Sequence, residues 1–182
     1  DAHPVTGAKL KQFAMKGLCI VIDPHRTELA SYATYHLQLK PGTNVALLNM
    51  MFYYIIKEKL EDIEFIKNRT EGYEDFKAFI ETLNIDDLEK ITGVDKNLVR
   101  DAAIAYATVP NAMSFHGLGV TEHSQGTFTV MQIADLAMIT GNIGRRCSRY
   151  GLSATSRCRL FRPHKTRYYQ SFFYLLWCAS AK

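Results

Sequence analysis

The chain has 182 residues, a net charge of +4, and 47% apolar and 12% aromatic residues. These values fit one packed domain and argue against a disordered chain. The positive charge is not spread evenly. Residues 145–182 carry nine Lys and Arg and no Asp or Glu, whereas residues 1–144 carry thirteen basic and eighteen acidic groups. The bulk of the chain is therefore acidic, and its net charge does not denote a nucleic-acid surface.

No apolar run reaches the roughly 18–20 residues of a membrane helix, and the run Phe172 to Ala181 is about half that. Asp1-Ala2-His3-Pro4 is followed by no basic or apolar leader pattern. The compartment is left open, with the cytoplasm favoured. Since the first residue is not Met, the chain is expected to be a piece of a longer protein.

Pro4 to Lys16 reads as a helix with Pro in its first turn and Gly17 at its end. Leu18-Cys19-Ile20-Val21-Ile22 is a continuous apolar run closed by Asp23-Pro24, the pattern of a buried parallel strand. A short helix is expected over Thr27 to Thr34, and a second strand over His36 to Leu39. Pro41-Gly42 is a turn, with Thr43 placed to cap a long apolar helix from Asn44 to about Leu60. Phe52, Tyr53 and Tyr54 on that helix read as core.

Residues 62–107 read as three or four helices, broken at Arg69-Thr70-Glu71-Gly72 and at Thr92-Gly93-Val94-Asp95, where Asp95 caps the next helix. Ala112 to His116 is a third strand running into Gly117-Leu118-Gly119. Gly126 opens a last helix through Ile139, closed by Gly141 and Asn142. Strands alternating with helices imply a parallel sheet covered on its faces. Three strands are few for such a domain, so one preceding Asp1 is expected.

Three motifs carry chemistry. Asp23, at the carboxyl end of a buried strand, either accepts hydrogen bonds from a ribose or simply starts a turn. Gly117-Leu118-Gly119 lets backbone amides approach a phosphate or a flat ring, but it serves equally as a tight strand exit. The fuller G-x-G-x-x-G pattern fails at Glu122. Lys40-Pro41-Gly42-Thr43-Asn44 either presents amides to a ligand or forms an ordinary capped turn. All three sit at expected carboxyl ends of strands, where open α/β sheets bind ligands, and that convergence favours nucleotide binding. Asp23, Gly42 and Gly117 are expected along one edge of the sheet.

Walker, nucleophile-elbow and H-E-x-x-H motifs are absent. His3, His36 and His164 have no catalytic partner set. Cys19 reads as a small core residue. Cys147, Cys158 and Cys178, with His164, can be drawn as a zinc set, but their spacing lacks any compact C-x2-C pair.

The stretch Val21 to Glu28, followed by Leu39-Lys40-Pro41-Gly42-Thr43-Asn44-Val45-Ala46-Leu47-Leu48-Asn49, resembles the molybdopterin oxidoreductase family. Within it, Asn68 to Tyr73, Ile91 to Val94, Gly117 to Gly126 and Leu136 to Gly144 resemble formate dehydrogenase catalytic subunits. The resemblance runs from Asp1 to about Arg146. It implies part of an α/β domain of an enzyme that oxidises formate to carbon dioxide at a bis-molybdopterin guanine dinucleotide centre of molybdenum or tungsten. It further implies an iron–sulfur cluster and electron-transfer subunits.

By this resemblance Asp23 contacts the guanosine ribose, and His25 and Arg26 lie beside the guanine dinucleotide. Gly42 and Asn44 line the same pocket, while Gly117, Leu118, Gly119 and Glu122 approach a pterin. The family often has Arg where His25 stands and Gln where Glu122 stands. Its cluster cysteines, its metal-ligating Cys or selenocysteine and the adjacent His are expected upstream, so the isolated segment is expected to be inactive, with no catalytic or metal-ligating residue of its own.

The expected fold is therefore an incomplete three-layer Rossmann-like α/β domain with a mainly parallel sheet, over residues 1–146. Residues 147–182 read as an unrelated basic tail from a shifted frame or junction, packing poorly, with an isolated helix near 168–180. The rivals are another molybdopterin oxidoreductase such as a nitrate reductase, and a non-enzymatic nucleotide-binding module with a basic tail.

Overall fold

A computed structural model describes residues 4–143 in full and the backbone of residues 175–179. Helix α1 (Pro4–Ala14) leads into strand β1 (Leu18–Ile22), a single helical turn at Leu29–Ser31, and strand β2 (Tyr35–Leu37). Helix α2 (Asn44–Lys57) follows, then α3 (Ile63–Arg69), α4 (Tyr73–Glu81), α5 (Ile85–Thr92) and α6 (Lys96–Thr108). Strand β3 (Ala112–Phe115), the one-turn helix α7 (Leu118–Thr121), helix α8 (Gly126–Ile139) and strand β4 (Leu175–Ala179) complete the described elements.

Local chemistry sets these boundaries. The Asp62 carboxylate accepts the Phe65 amide at 2.9 Å and starts α3. Asn84 accepts the Asp86 amide at 3.0 Å at the start of α5. Asp95 accepts the amides of Asn97 and Leu98 at the start of α6, as expected of an N-cap. Gly93 ends α5 at φ +73°, a left-handed conformation that glycine adopts freely. Thr43 precedes α2 but does not cap it: its hydroxyl turns back and donates to the Lys40 carbonyl at 2.7 Å.

The residues of β1 alternate between two cores. Ile20 and Ile22 belong to the larger one, with Leu47, Met50, Met51, Phe52 and Ile55 of α2. Cys19 and Val21 belong to a smaller one, with Ala14 of α1 and Leu29 and Ala30 of the helical turn. Both faces of β1 are therefore covered, which explains its unbroken apolar run. Helix α2 is the hub of the larger core and packs on α4, α5, α6 and α8. The Phe52 and Phe76 rings meet edge to face at 4.9 Å. Phe52 and Tyr54 are buried, as their core assignment requires.

The sheet order is β2-β1-β4-β3. Strands β1 and β2 are parallel, with Ile22 opposite Leu37. Strand β4 runs antiparallel to both β1 and β3. The expectation of a mainly parallel sheet is thereby corrected to one parallel pair and two antiparallel pairs. Strands β1 and β3 point the same way, but they are not neighbours. The backbone groups on their facing edges need partners, and β4 supplies them.

The placement of β4 also corrects the expected helix near 168–180, since residues 175–179 are extended. The expectation that the whole of 147–182 stands apart from the domain fails at those five residues, while the rest of that tail lies outside the described residues. The remaining differences are small. Strand β3 stops at Phe115, and β2 spans 35–37, beyond which the Leu39 amide bonds to the Leu37 carbonyl at 3.1 Å and turns the chain toward α2.

Candidate functional site

Because β1, β2 and β3 share one direction, their carboxyl ends lie along one edge of the sheet. Asp23, Gly42 and Gly117 each follow one of those ends. A cavity of about 840 Å³ opens there. Its walls come from the segment after β1 (Asp23, Pro24, His25, Thr27) and from the turn after β2 (Gln38 to Gly42, with Asn44). Leu47 and Leu48 of α2 add an apolar floor, and Gly119, Val120, His123 and Thr129 close it from the α7–α8 side.

Asp23 is 4% exposed. One carboxylate oxygen accepts the His25 amide at 2.6 Å, closing a tight turn that brings His25 to the wall. Burial pushes the Asp23 carboxyl above its ordinary range, against the opposing pull of the His25 amide and of the His36 and His25 imidazoles. The His36 Nε2 lies 3.1 Å from the Asp23 carbonyl. Gln38 donates to the Pro24 carbonyl at 2.9 Å, tying the segments after β1 and β2 together. Gly42 has φ +82°, so the turn there favours glycine.

The α7–α8 wall is set by close backbone packing. A side chain at Gly126 would place its Cβ 2.3 Å from the Thr121 carbonyl oxygen. Only glycine lets α8 start directly against the last turn of α7. Thr129, one turn into α8 and 1% exposed, donates its hydroxyl to the Gln125 carbonyl at 3.0 Å.

Of the sequence-derived candidates, Asp23, His25, Gly42, Asn44 and Gly119 line this one cavity. Arg26, Gly117, Leu118 and Glu122 are not among its lining residues, and Arg26 and Glu122 are exposed. Gly117 instead precedes α7 in an extended conformation, so the Gly-Leu-Gly stretch forms a helical turn and only its second glycine reaches the cavity. Sequence reasoning missed Thr27, Gln38, Lys40, His123 and Thr129. Lys40 and His123 sit inside the motifs already singled out, and Thr129 follows Gly126 by three residues, one helical turn. Gln38 carried no signal beyond strand alternation.

Among the described residues no group of three or more His, Cys, Asp or Glu is arranged to hold a metal ion. The side chains of Cys147, Cys158, Cys178 and His164 lie outside the described residues. Among the described residues no helix is long and apolar enough to cross a membrane.

The family model described as molybdopterin oxidoreductase matches residues 1–161. The chain belongs to the molybdopterin oxidoreductase family. The match extends past Arg146, where the resemblance read from sequence motifs stops. The F420-dependent formate dehydrogenase subunit alpha of Methanocaldococcus jannaschii is 44% identical over 146 residues, covering 80% of this chain and 22% of that protein. Formate dehydrogenase H of Escherichia coli is 40% identical, covering 80% of this chain and 20% of that protein. The assimilatory nitrate reductase catalytic subunit of Bacillus subtilis is 36% identical over 132 residues, covering 72% of this chain and 19% of that protein.

Among solved structures, acetylene hydratase from Pelobacter acetylenicus superposes with a TM-score of 0.64 at 32% identity, covering 68% of this chain and 17% of that one. The chain therefore spans about a fifth of the length of the curated relatives it matches. Membership of the molybdopterin oxidoreductase family implies a molybdopterin cofactor carrying molybdenum or tungsten.

Proposed function

We propose that this chain is the part of a formate dehydrogenase catalytic subunit that cradles the guanine dinucleotide end of its cofactor, within an incomplete Rossmann-like domain. The observation that carries this reading is the convergence of Asp23, His25, Gly42, Asn44 and Gly119 on one cavity at the carboxyl edge of the sheet. The cavity's size is that of sites for small organic ligands, about 300–1,000 Å³. Its walls suit the group. Ile22, Leu39, Leu47, Leu48 and Val120 offer apolar surface to a flat base, and the buried Asp23 carboxylate accepts hydrogen bonds from ribose hydroxyls. Gly42 and Asn44 present the backbone and amide of the α2 entry.

When bound, the metal centre would supply a two-electron acceptor for the oxidation of formate to carbon dioxide and a proton. An iron–sulfur cluster and partner subunits, contributed by the rest of the protein, would take up the two electrons. The residues here bind and orient the nucleotide; none of them acts on formate. The names of the matched relatives favour formate. The nitrate reductase match supports the second reading, an enzyme of the same family acting on nitrate.

Two experiments test the proposal. The whole protein carrying this segment, produced with molybdate or tungstate, should reduce benzyl viologen with formate. Nitrate-dependent oxidation of reduced viologen, without formate activity, would select the second reading. The isolated chain should bind GDP in a thermal-shift titration yet reduce no dye with formate. Absence of GDP binding would remove the nucleotide role of the cavity.

A further inference from the structure

The turn after β2 is held by α5, which packs on α2. Lys40 meets the end of α5 at two points. Its amide donates to the Thr92 carbonyl at 2.9 Å, and its ammonium donates to the Lys90 carbonyl, also at 2.9 Å. The Lys90 and Thr92 carbonyls belong to the last turn of α5, where backbone acceptors are unsatisfied and the helix dipole favours a cation. Between these two bonds the Lys40 stem lies over Gly93, whose added Cβ would come within 3.0 Å of the Lys40 Cε.

The Lys40 carbonyl then accepts the Thr43 amide at 3.3 Å and the Thr43 hydroxyl at 2.7 Å, closing the turn that carries Pro41 and Gly42 into α2. Backbone and ammonium thus tie Lys40 to α5, and its carbonyl ties it to Thr43, between Gly42 and Asn44.

We infer that Lys40 is a positioning residue: its bond to the end of α5 holds the 40–44 turn in the shape that receives a nucleotide. The inference rests on the nucleotide reading of the cavity. It assigns Lys40 a role through the turn: although Lys40 lines the cavity, one ammonium hydrogen is held by the Lys90 carbonyl on the α5 side. Gly93 becomes part of the same device, because a Cβ there would press on the Lys40 stem in a left-handed conformation that favours glycine.

The test uses the whole chain and compares Lys40→Met, Lys40→Arg and Gly93→Ala with the wild type by hydrogen exchange and GDP titration. Methionine keeps the apolar stem and removes the donor; arginine restores a donor. In Lys40→Met the amides of Lys40 and Thr43 should exchange about fivefold faster, the scale of one net hydrogen bond. The Ile55 and Tyr106 amides should not change. GDP affinity should fall by a similar factor, Lys40→Arg should recover both, and Gly93→Ala should reproduce the methionine pattern.

Unchanged exchange in Lys40→Met overturns the clamp, whatever the nucleotide does. Altered exchange with unchanged affinity overturns the positioning role. Loss of affinity without altered exchange makes Lys40 a direct ligand contact and likewise overturns it. A wild-type chain that ignores GDP fails the nucleotide reading and removes the ligand to be positioned, while the exchange arm still decides whether the clamp exists.

Discussion

The Tyr73 hydroxyl donates to the Glu61 carboxylate across 2.8 Å, at a point where the Glu61 side chain is only 4% exposed. The Lys77 ammonium, 3.8 Å from the same oxygen, is the only cation paired with that carboxylate among the described residues. Burial, and then the bond to Glu61, push the Tyr73 hydroxyl far above its usual range, so it remains a donor at every ordinary pH. Tyr73→Phe should therefore destabilise the chain by about 1–2 kcal/mol, the usual result of leaving a buried acceptor short of a donor. Urea unfolding of the two proteins measures it; equal midpoints would mean that Lys77 alone satisfies Glu61.

Asp23 sets stability against binding. The native chain holds the Asp23 proton more tightly than the unfolded chain does, because burial raises the carboxyl above its ordinary value of 3.8. Its contribution to stability is therefore complete below that value and is lost as pH rises through the raised native value. Asp23→Asn, which still offers an oxygen to the His25 amide, should melt higher than the wild type at pH 7, with the gain vanishing near pH 3. The same substitution should weaken GDP binding roughly tenfold through loss of a charged acceptor. Thermal melts from pH 3 to 8, with and without GDP, check both signs; a variant that melts lower at pH 7 contradicts the burial account.

Two glycines should respond to alanine in opposite ways. Gly7 lies within α1, and an added Cβ meets nothing within 4 Å, so Gly7→Ala should stabilise by about 0.5–1 kcal/mol. Gly126→Ala drives a Cβ into the Thr121 carbonyl and should cost about 2 kcal/mol or more, while opening the α7–α8 wall of the cavity. Chemical denaturation of both variants tests the pair, and stabilisation by Gly126→Ala would show that the two helices separate freely.

Truncation after Arg146 removes β4 and leaves the facing edges of β1 and β3 without partners. The shortened chain should lose more than about 2 kcal/mol or self-associate, because open strand edges template pairing. Calorimetry with light scattering decides it; an unchanged, monomeric transition would show that residues 175–179 are dispensable to the sheet.

Much of this was legible in the residues. The apolar run of β1 reads correctly because both its faces are buried, as Cys19 and Ile20 show by pointing into different cores. The cap at Asp95 and the stop at Gly93 follow from local backbone chemistry, which operates over a few residues. The edge shared by Asp23 and Gly42 follows from strand direction alone. What escaped notice was non-local. Strand β4 belongs where it does because of a gap between strands distant in sequence, and no local pattern encodes that. Thr43 looked like a cap because its type and position suit one, but the Lys40 carbonyl was the better-placed partner. Glu122 and Arg26 were chosen by motif, and motif does not fix which way a turn faces solvent.

The pairing of Leu18 with Ala179 joins residues about 160 positions apart in sequence. Such a contact must close a long loop before it forms, so this pairing forms late and slowly. Until it forms, the facing edges of β1 and β3 are open. In that interval a neighbouring nascent chain is as good a partner as the chain's own later residues. Yield on expression should therefore depend on concentration and temperature more steeply than the stability of the finished fold would suggest.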